Sequence, residues 1–102
     1  MRFDIKAEAL ADLEEIYAYG LAEYGLEHAG TYLAKLRDQF DRLIEFPRLG
    51  PVASGLRQSL RVWKCGRHHI YYTEGKETLT IVRILHHARD AAYQFRTSVP
   101  GT

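Results

Sequence analysis

The side chains able to do chemistry gather at one end of this chain. Arg83 lies inside the apolar run Leu79-Thr-Ile-Val-Arg-Ile-Leu-His86, and His87-Ala-Arg-Asp-Ala-Ala-Tyr93 follows directly. Groups held at a strand end are fixed by the sheet behind them, which suits gripping a macromolecule or moving a proton. A Tyr or His could take the proton from a 2′-hydroxyl while Arg holds the phosphate. Arg83, His87, Arg89 and Tyr93 are therefore the candidate set for a ribonuclease. A structural reading competes with it: Arg83 snorkels to an edge or is paired, Arg89-Asp90 is an exposed or local pair, and Tyr93 and Phe95 pin the tail to the sheet.

Other chemistries find no support. The five histidines show no His-x-x-x-His or Cys-His spacing: His68 and His69 point to opposite faces of a strand, His86 and His87 straddle a strand end, and His28 opens a helix. No metal and no cofactor is expected. Phosphate-loop, dinucleotide, kinase and Gly-x-Ser-x-Gly signatures are absent. The single Cys65 can form neither an internal disulfide nor a cysteine metal site, and reads as a strand residue in a reducing compartment. Tyr71 and Tyr72 should face opposite ways, one in the core and one as a platform for RNA or a protein. Trp63 reads as a core residue.

The elements that must position these groups follow from periodicity. Arg2 to Lys6 alternates and predicts a short strand. From Glu8 to Tyr24 the stripe Leu10, Leu13, Tyr17, Leu21 and Tyr24, with Ile16 beside it, predicts a helix that Gly25 ends. A second helix runs from about Glu27 to Phe46, with Tyr32, Leu33, Leu36, Phe40, Leu43 and Ile44 on one face and Pro47 as its stop. After the loop Pro47–Gly55 the period switches to two. Strands are predicted at Ser59–Cys65, His68–Thr73 and Thr78–His86, with Gly66-Arg67 as a type II′ hairpin turn and Glu74–Glu77 as a second turn. Arg83 shares the parity of Leu79, Ile81 and Leu85. The architecture is α+β, β-α-α-β-β-β: an antiparallel sheet with one face packed on a helical hairpin.

Length bounds the rest. The 102 residues make one domain with a modest core, and 46% hydrophobic with 26% charged residues is the composition of an ordinary soluble protein. Residues 1–96 are expected to form the domain and 97–102 a disordered tail. No apolar run suffices for a membrane span, and the first residues lack an apolar signal core, so a cytoplasmic protein is expected. The net charge of +1 hides an asymmetry: 6 Lys/Arg against 10 Asp/Glu through Leu56, and 8 against 3 from Arg57 onward. The basic half is the expected interaction surface.

The chain resembles the ParE branch of the RelE/ParE toxin superfamily of bacterial type II toxin–antitoxin systems. The resemblance rests on Ala9-Leu-Ala-Asp-Leu-Glu-Glu-Ile16, Ala29-Gly-Thr-Tyr-Leu33, Phe46-Pro47 with Gly50, Leu60-Arg61, His69-Ile-Tyr-Tyr72 and, most specifically, Ile81-Val-Arg-Ile-Leu-His-His-Ala-Arg-Asp90. It implies the same fold and a cognate ParD-like antitoxin, whose arm folds along the helical hairpin and the sheet edge. Candidate antitoxin-binding residues are Tyr17, Leu21, Tyr24, Tyr32, Leu36, Trp63 and Tyr71. The ParE-like branch implies inhibition of DNA gyrase by binding, with no catalytic residue, no sequence-specific nucleic-acid binding and no membrane partner. Candidate target-binding residues are Arg61, Arg67, His86, His87 and Arg89. The RelE-like branch instead cleaves mRNA on the ribosome, and a degenerate toxin that only binds its antitoxin is a third alternative. A net charge of +1 is low for docking into ribosomal RNA, where phosphate neutralisation supplies most of the affinity.

Overall fold

The computed structural model describes residues 1–56, 58–89 and 91–97. The elements are β1 (Arg2–Ile5), α1 (Ala7–Tyr24), α2 (Leu26–Glu45), β2 (Arg61–Cys65), β3 (His68–Glu74), β4 (Thr78–His86) and α3 (Ala91–Thr97). The expected β-α-α-β-β-β order is present. The short helix α3 is an addition to it, and residues 98–102 of the expected tail lie outside the described residues.

The helical hairpin closes on one residue. Gly25, at φ +93, receives the end of α1 through its N–H to the Leu21 carbonyl (3.2 Å), and its own carbonyl accepts from Ala29 N–H (3.0 Å) to start α2. Only glycine adopts this backbone without strain. The helices then approach closely: a Cβ on Gly20 would stand 3.2 Å from the Ala29 Cβ.

The sheet order is β1-β4-β3-β2. The β2–β3–β4 meander is antiparallel, but β1 joins the edge parallel to β4, so the sheet is mixed rather than wholly antiparallel. Gly66 at φ +58, followed by Arg67 outside the left-handed region, closes the β2–β3 hairpin as a type II′ turn requires.

Both faces of the sheet are covered, where sequence predicted one. Toward the hairpin, Leu36, Phe40 and Leu43 of α2 and Ala9 of α1 meet Cys65, Ile70, Tyr72, Leu79, Ile81 and Ile84. On the other face Leu60, Tyr71, Val82 and Leu85 meet Phe95 of α3. Tyr71 and Tyr72 do face opposite ways, yet both are buried, because the Phe95 ring lies over Tyr71 at 5.2 Å. Tyr72 spans the core: its hydroxyl donates to the Pro47 carbonyl (2.7 Å) and accepts from Gly50 N–H (2.9 Å), tying down the loop after α2.

A β-bulge corrects the parity of the last strand. Tyr72 pairs with Ile81 but Tyr71 pairs with Arg83, which leaves Val82 without an opposite residue. Beyond the bulge Ile84 faces the hairpin and Leu85 faces α3, so Leu85 does not share the face of Leu79 and Ile81. The inward face of α1 is also shifted from the predicted stripe. Ala9 and Asp12 are the buried positions, with Leu13 and Ile16 beside them, while Leu10, Leu21 and Tyr24 are exposed.

Candidate functional site

Asp12 is the only buried charged residue among the described residues, and it organises the region where the hairpin meets the end of β4. Its carboxylate accepts from Arg83 Nε (2.7 Å) and Arg83 Nη2 (2.9 Å), and from the backbone N–H of Ile84 (2.9 Å) just past the bulge. This fork-on-fork contact is the strong form of an ion pair. Donating to the Asp12 carboxylate pushes the already high pKa of Arg83 further up.

A cleft of about 830 Å³ opens beside this pair, between the hairpin and the β2–β3 turn. Tyr32 of α2 forms its floor. Its hydroxyl lies 2.6 Å from His68 Nδ1 and 3.2 Å from the Cys65 carbonyl, and accepts from Arg67 N–H (3.1 Å). The ring explains Gly66 a second time: a Cβ there would stand 2.8 Å from Tyr32. Burial, then the neighbouring His86 and His87, lowers the His68 pKa to about 4, so the ring is neutral at pH 7. His68 meets His86 edge-on at 5.5 Å, and His86 stacks on His87 at 4.4 Å. At the mouth, Arg67 Nη1 donates to the Tyr24 hydroxyl (3.1 Å) with its guanidinium 6.0 Å from that ring, and His28 packs on Tyr24 at 4.8 Å.

Two turns bring the basic rim together. His87 N–H donates to the Arg67 carbonyl (2.8 Å), and Arg89 N–H to the His86 carbonyl (2.9 Å). Arg67, His86, His87 and Arg89 are all exposed along this rim. Arg61 stands apart: its Nη1 donates to the Gly50 carbonyl (2.8 Å) and its Nε to Glu74 (3.3 Å), a carboxylate that Arg48 also reaches.

The ribonuclease set is brought together only in part, with His87 on the rim beside Arg89. Arg83 and Arg89 line the cleft, whereas His87 and Tyr93 do not. Arg83 is held by Asp12, and Tyr93 is carried by α3, the helix on the opposite sheet face. The Arg89-Asp90 pairing involves Asp90, which lies outside the described residues. Among the described residues no three His, Cys, Asp or Glu side chains converge as metal ligands.

The aromatic and apolar candidates fall in different places. Tyr24 and Tyr32 line the cleft, and Leu21 is exposed on α1. Tyr17 belongs to a second, apolar groove of about 520 Å³ on the far side of the hairpin, shared with Phe3, Leu10, Leu33 and Phe40. Leu36, at 0% exposure, is a core residue at the bottom of that groove, and Tyr71, at 6% and under the Phe95 ring, belongs to the core rather than to a partner surface. Trp63 is half-buried, packed against the core with Nε1 donating to Gln39 Oε1 at 2.8 Å. Sequence reasoning did not single out Asp12. A carboxylate on the apolar face of α1, beside Ala9, Leu13 and Ile16, was the available signal.

Comparison with known proteins agrees with this architecture. The family model described as "ParE toxin of type II toxin-antitoxin system, parDE" matches residues 3–91. Toxin ParE1 of Mycobacterium tuberculosis (strain H37Rv) is 32% identical over 90 residues, covering 87% of this chain and 92% of that protein. Toxin ParE of Escherichia coli is 32% identical over 98 residues, 95% of each chain. In fold, a chain of the chromosomal ParDE toxin–antitoxin system from P. aeruginosa superposes with TM-score 0.73 at 19% identity, covering 84% of this chain and 95% of that one.

Proposed function

The chain belongs to the ParE toxin family of type II toxin–antitoxin systems, and we propose that it arrests growth by poisoning DNA gyrase through binding, without chemistry of its own. One observation carries the choice over a ribonuclease. Arg83, the guanidinium that the central strand β4 gives the ribonuclease set, is already committed to Asp12, as Arg61 on the β2 edge is to Glu74. Neither is free to hold a scissile phosphate; two exposed guanidiniums, Arg67 and Arg89, stand on the rim, and a net charge of +1 is low for docking into ribosomal RNA. Exposed guanidiniums and imidazoles gather at the rim formed by Arg67, His86, His87 and Arg89, and this rim is the face we assign to the target.

The partner that neutralises the toxin is a ParD-type antitoxin. We assign its arm to the apolar groove lined by Phe3, Leu10, Tyr17, Leu33 and Phe40. A groove of that kind accepts the apolar face of an amphipathic segment, with main-chain pairing available at the neighbouring β1 edge. No described helix is long and apolar enough to cross a membrane, and we place the toxin in the cytoplasm, with gyrase.

Purified protein incubated with gyrase and supercoiled plasmid should accumulate linear DNA after denaturation of the complex, and should leave ribosome-bound mRNA uncut. Absence of linear DNA at saturating toxin would overturn the reading. Cut mRNA that disappears with Tyr93→Phe would transfer the function to the ribonuclease.

A further inference from the structure

The cleft beside the Asp12–Arg83 pair is more elaborate than a binding rim requires. At about 830 Å³ it has the size of a small-molecule site. One wall is aromatic and open to solvent: Tyr19 and Tyr24 are 59% and 49% exposed, their rings 6.4 Å apart and edge-on, with His28 against Tyr24. Tyr24 already carries Arg67 and His28, and Tyr19, the more exposed ring, offers the face on which a flat partner can stack. Beside this wall the rim carries two cations, Arg67, which touches Tyr24, and Arg89, on turns linked through the His87–Arg67 backbone hydrogen bond. Arg67 has one side-chain hydrogen bond among the described residues, to Tyr24, which aligns its guanidinium and leaves most of its donors for an anion. Glu15 also lines the cleft, an exposed carboxylate in no ion pair among the described residues, suited to accept from vicinal hydroxyls.

We propose that this cleft binds a phosphorylated nucleoside, with its base on the Tyr19–Tyr24 wall and its phosphate between Arg67 and Arg89. An aromatic platform, a pair of guanidiniums and a carboxylate on one cleft match the chemistry of the base, phosphate and sugar of one nucleotide. The nucleotide comes either from the free pool or from an unpaired position in a DNA strand, and the chemistry recognised is the same. The proposal stands apart from the gyrase reading, since it concerns the purified chain alone and either can fail without the other.

Calorimetric titration of the purified protein with AMP, ribose 5-phosphate, inorganic phosphate and a short single-stranded DNA oligonucleotide tests it. AMP should bind with a dissociation constant of about 1 mM or tighter, at least tenfold more tightly than ribose 5-phosphate or inorganic phosphate. Arg67→Gln and Tyr19→Leu should each weaken AMP by about tenfold. Both positions are on the surface, so urea unfolding should match the parent and show that the fold is intact. An oligonucleotide that binds more tightly than AMP assigns the nucleotide to a strand, and the reverse order assigns it to the free pool. No binding of AMP or oligonucleotide, ribose 5-phosphate binding as well as AMP, or affinity unchanged in both variants would overturn the proposal.

Discussion

Replacing Asp12 with alanine should be among the most destabilising single changes this chain can suffer. The carboxylate is 8% exposed and its partner guanidinium 16% exposed, so neither is bathed in water. Asp12→Ala leaves Arg83 charged in a half-dry site, and breaking such a pair by removing one partner costs about 3–5 kcal/mol. Arg83 cannot escape by losing its proton, because an arginine side chain stays charged at any working pH. The Ile84 N–H loses its acceptor as well, a penalty of about 1–3 kcal/mol for a buried donor. The adjoining cleft lets water reach part of the site, which offsets some of this, and a loss of about 4 kcal/mol results. A domain of this kind holds about 5–15 kcal/mol in all, so the variant sits close to its unfolding threshold. Urea unfolding followed by Trp63 fluorescence should show the midpoint falling by about 2–4 M with an unchanged slope. Removing both charges, Asp12→Leu with Arg83→Met, should cost less than the single change, because only the Ile84 N–H is then left without a partner. A loss below about 1 kcal/mol for Asp12→Ala would put the pair in the class of screened surface bridges and refute its organising role.

Three further outcomes follow from the same geometry. His68, with a pKa near 4 in the fold and an ordinary value near 6.5 when unfolded, binds its proton earlier in the unfolded chain. Stability should therefore fall as pH drops from about 6.5 to 4, by about 1 kcal/mol once partial solvent screening is allowed for. His68→Gln should flatten that part of the pH–stability curve, and an equally steep curve would clear His68. Gly66→Ala meets both a left-handed backbone and the Tyr32 ring and should cost about 2 kcal/mol or more, whereas Gly30→Ala, in open space on α2, should gain about 0.5–1 kcal/mol. Thermal melts of the two variants should move in opposite directions. Finally, Leu10→Asp, at a 48%-exposed position of the apolar groove, should leave the fold intact and weaken antitoxin association at least tenfold. Unchanged affinity in a calorimetric titration would move the antitoxin arm off this groove.

The candidate site was readable in its inventory and not in its grouping. The rim residues Arg67, His86, His87 and Arg89 were all visible as residues near strand ends, and the structure does bring them together, because the β2–β3 turn and the end of β4 are adjacent in an antiparallel meander. Tyr71 misled because alternation tells only that a side chain leaves one face, not what covers the other. Seven residues of α3, too short for a periodic signal, put Phe95 over it. Leu21 and Tyr24 fell on the predicted apolar stripe of α1, yet the buried face runs through Ala9 and Asp12, since the hairpin packs through its small residues, as at Gly20 and Ala29.

By itself the sequence determined what is local. The two helices, their break at Gly25, the hairpin turn at Gly66 and the span Thr78–His86 follow from periodicity and from backbone conformations that only certain residues adopt. It also carried the family likeness, which lives in the order of short motifs along the chain. The tertiary structure alone decided that β1 lies parallel to β4, that a bulge at Val82 turns the last strand, and that Asp12 meets Arg83 across 71 positions. Each of these depends on which distant segments share a core. A four-residue strand carries no record of its neighbour's direction, and a carboxylate among several acids shows its importance only when a buried cation closes on it.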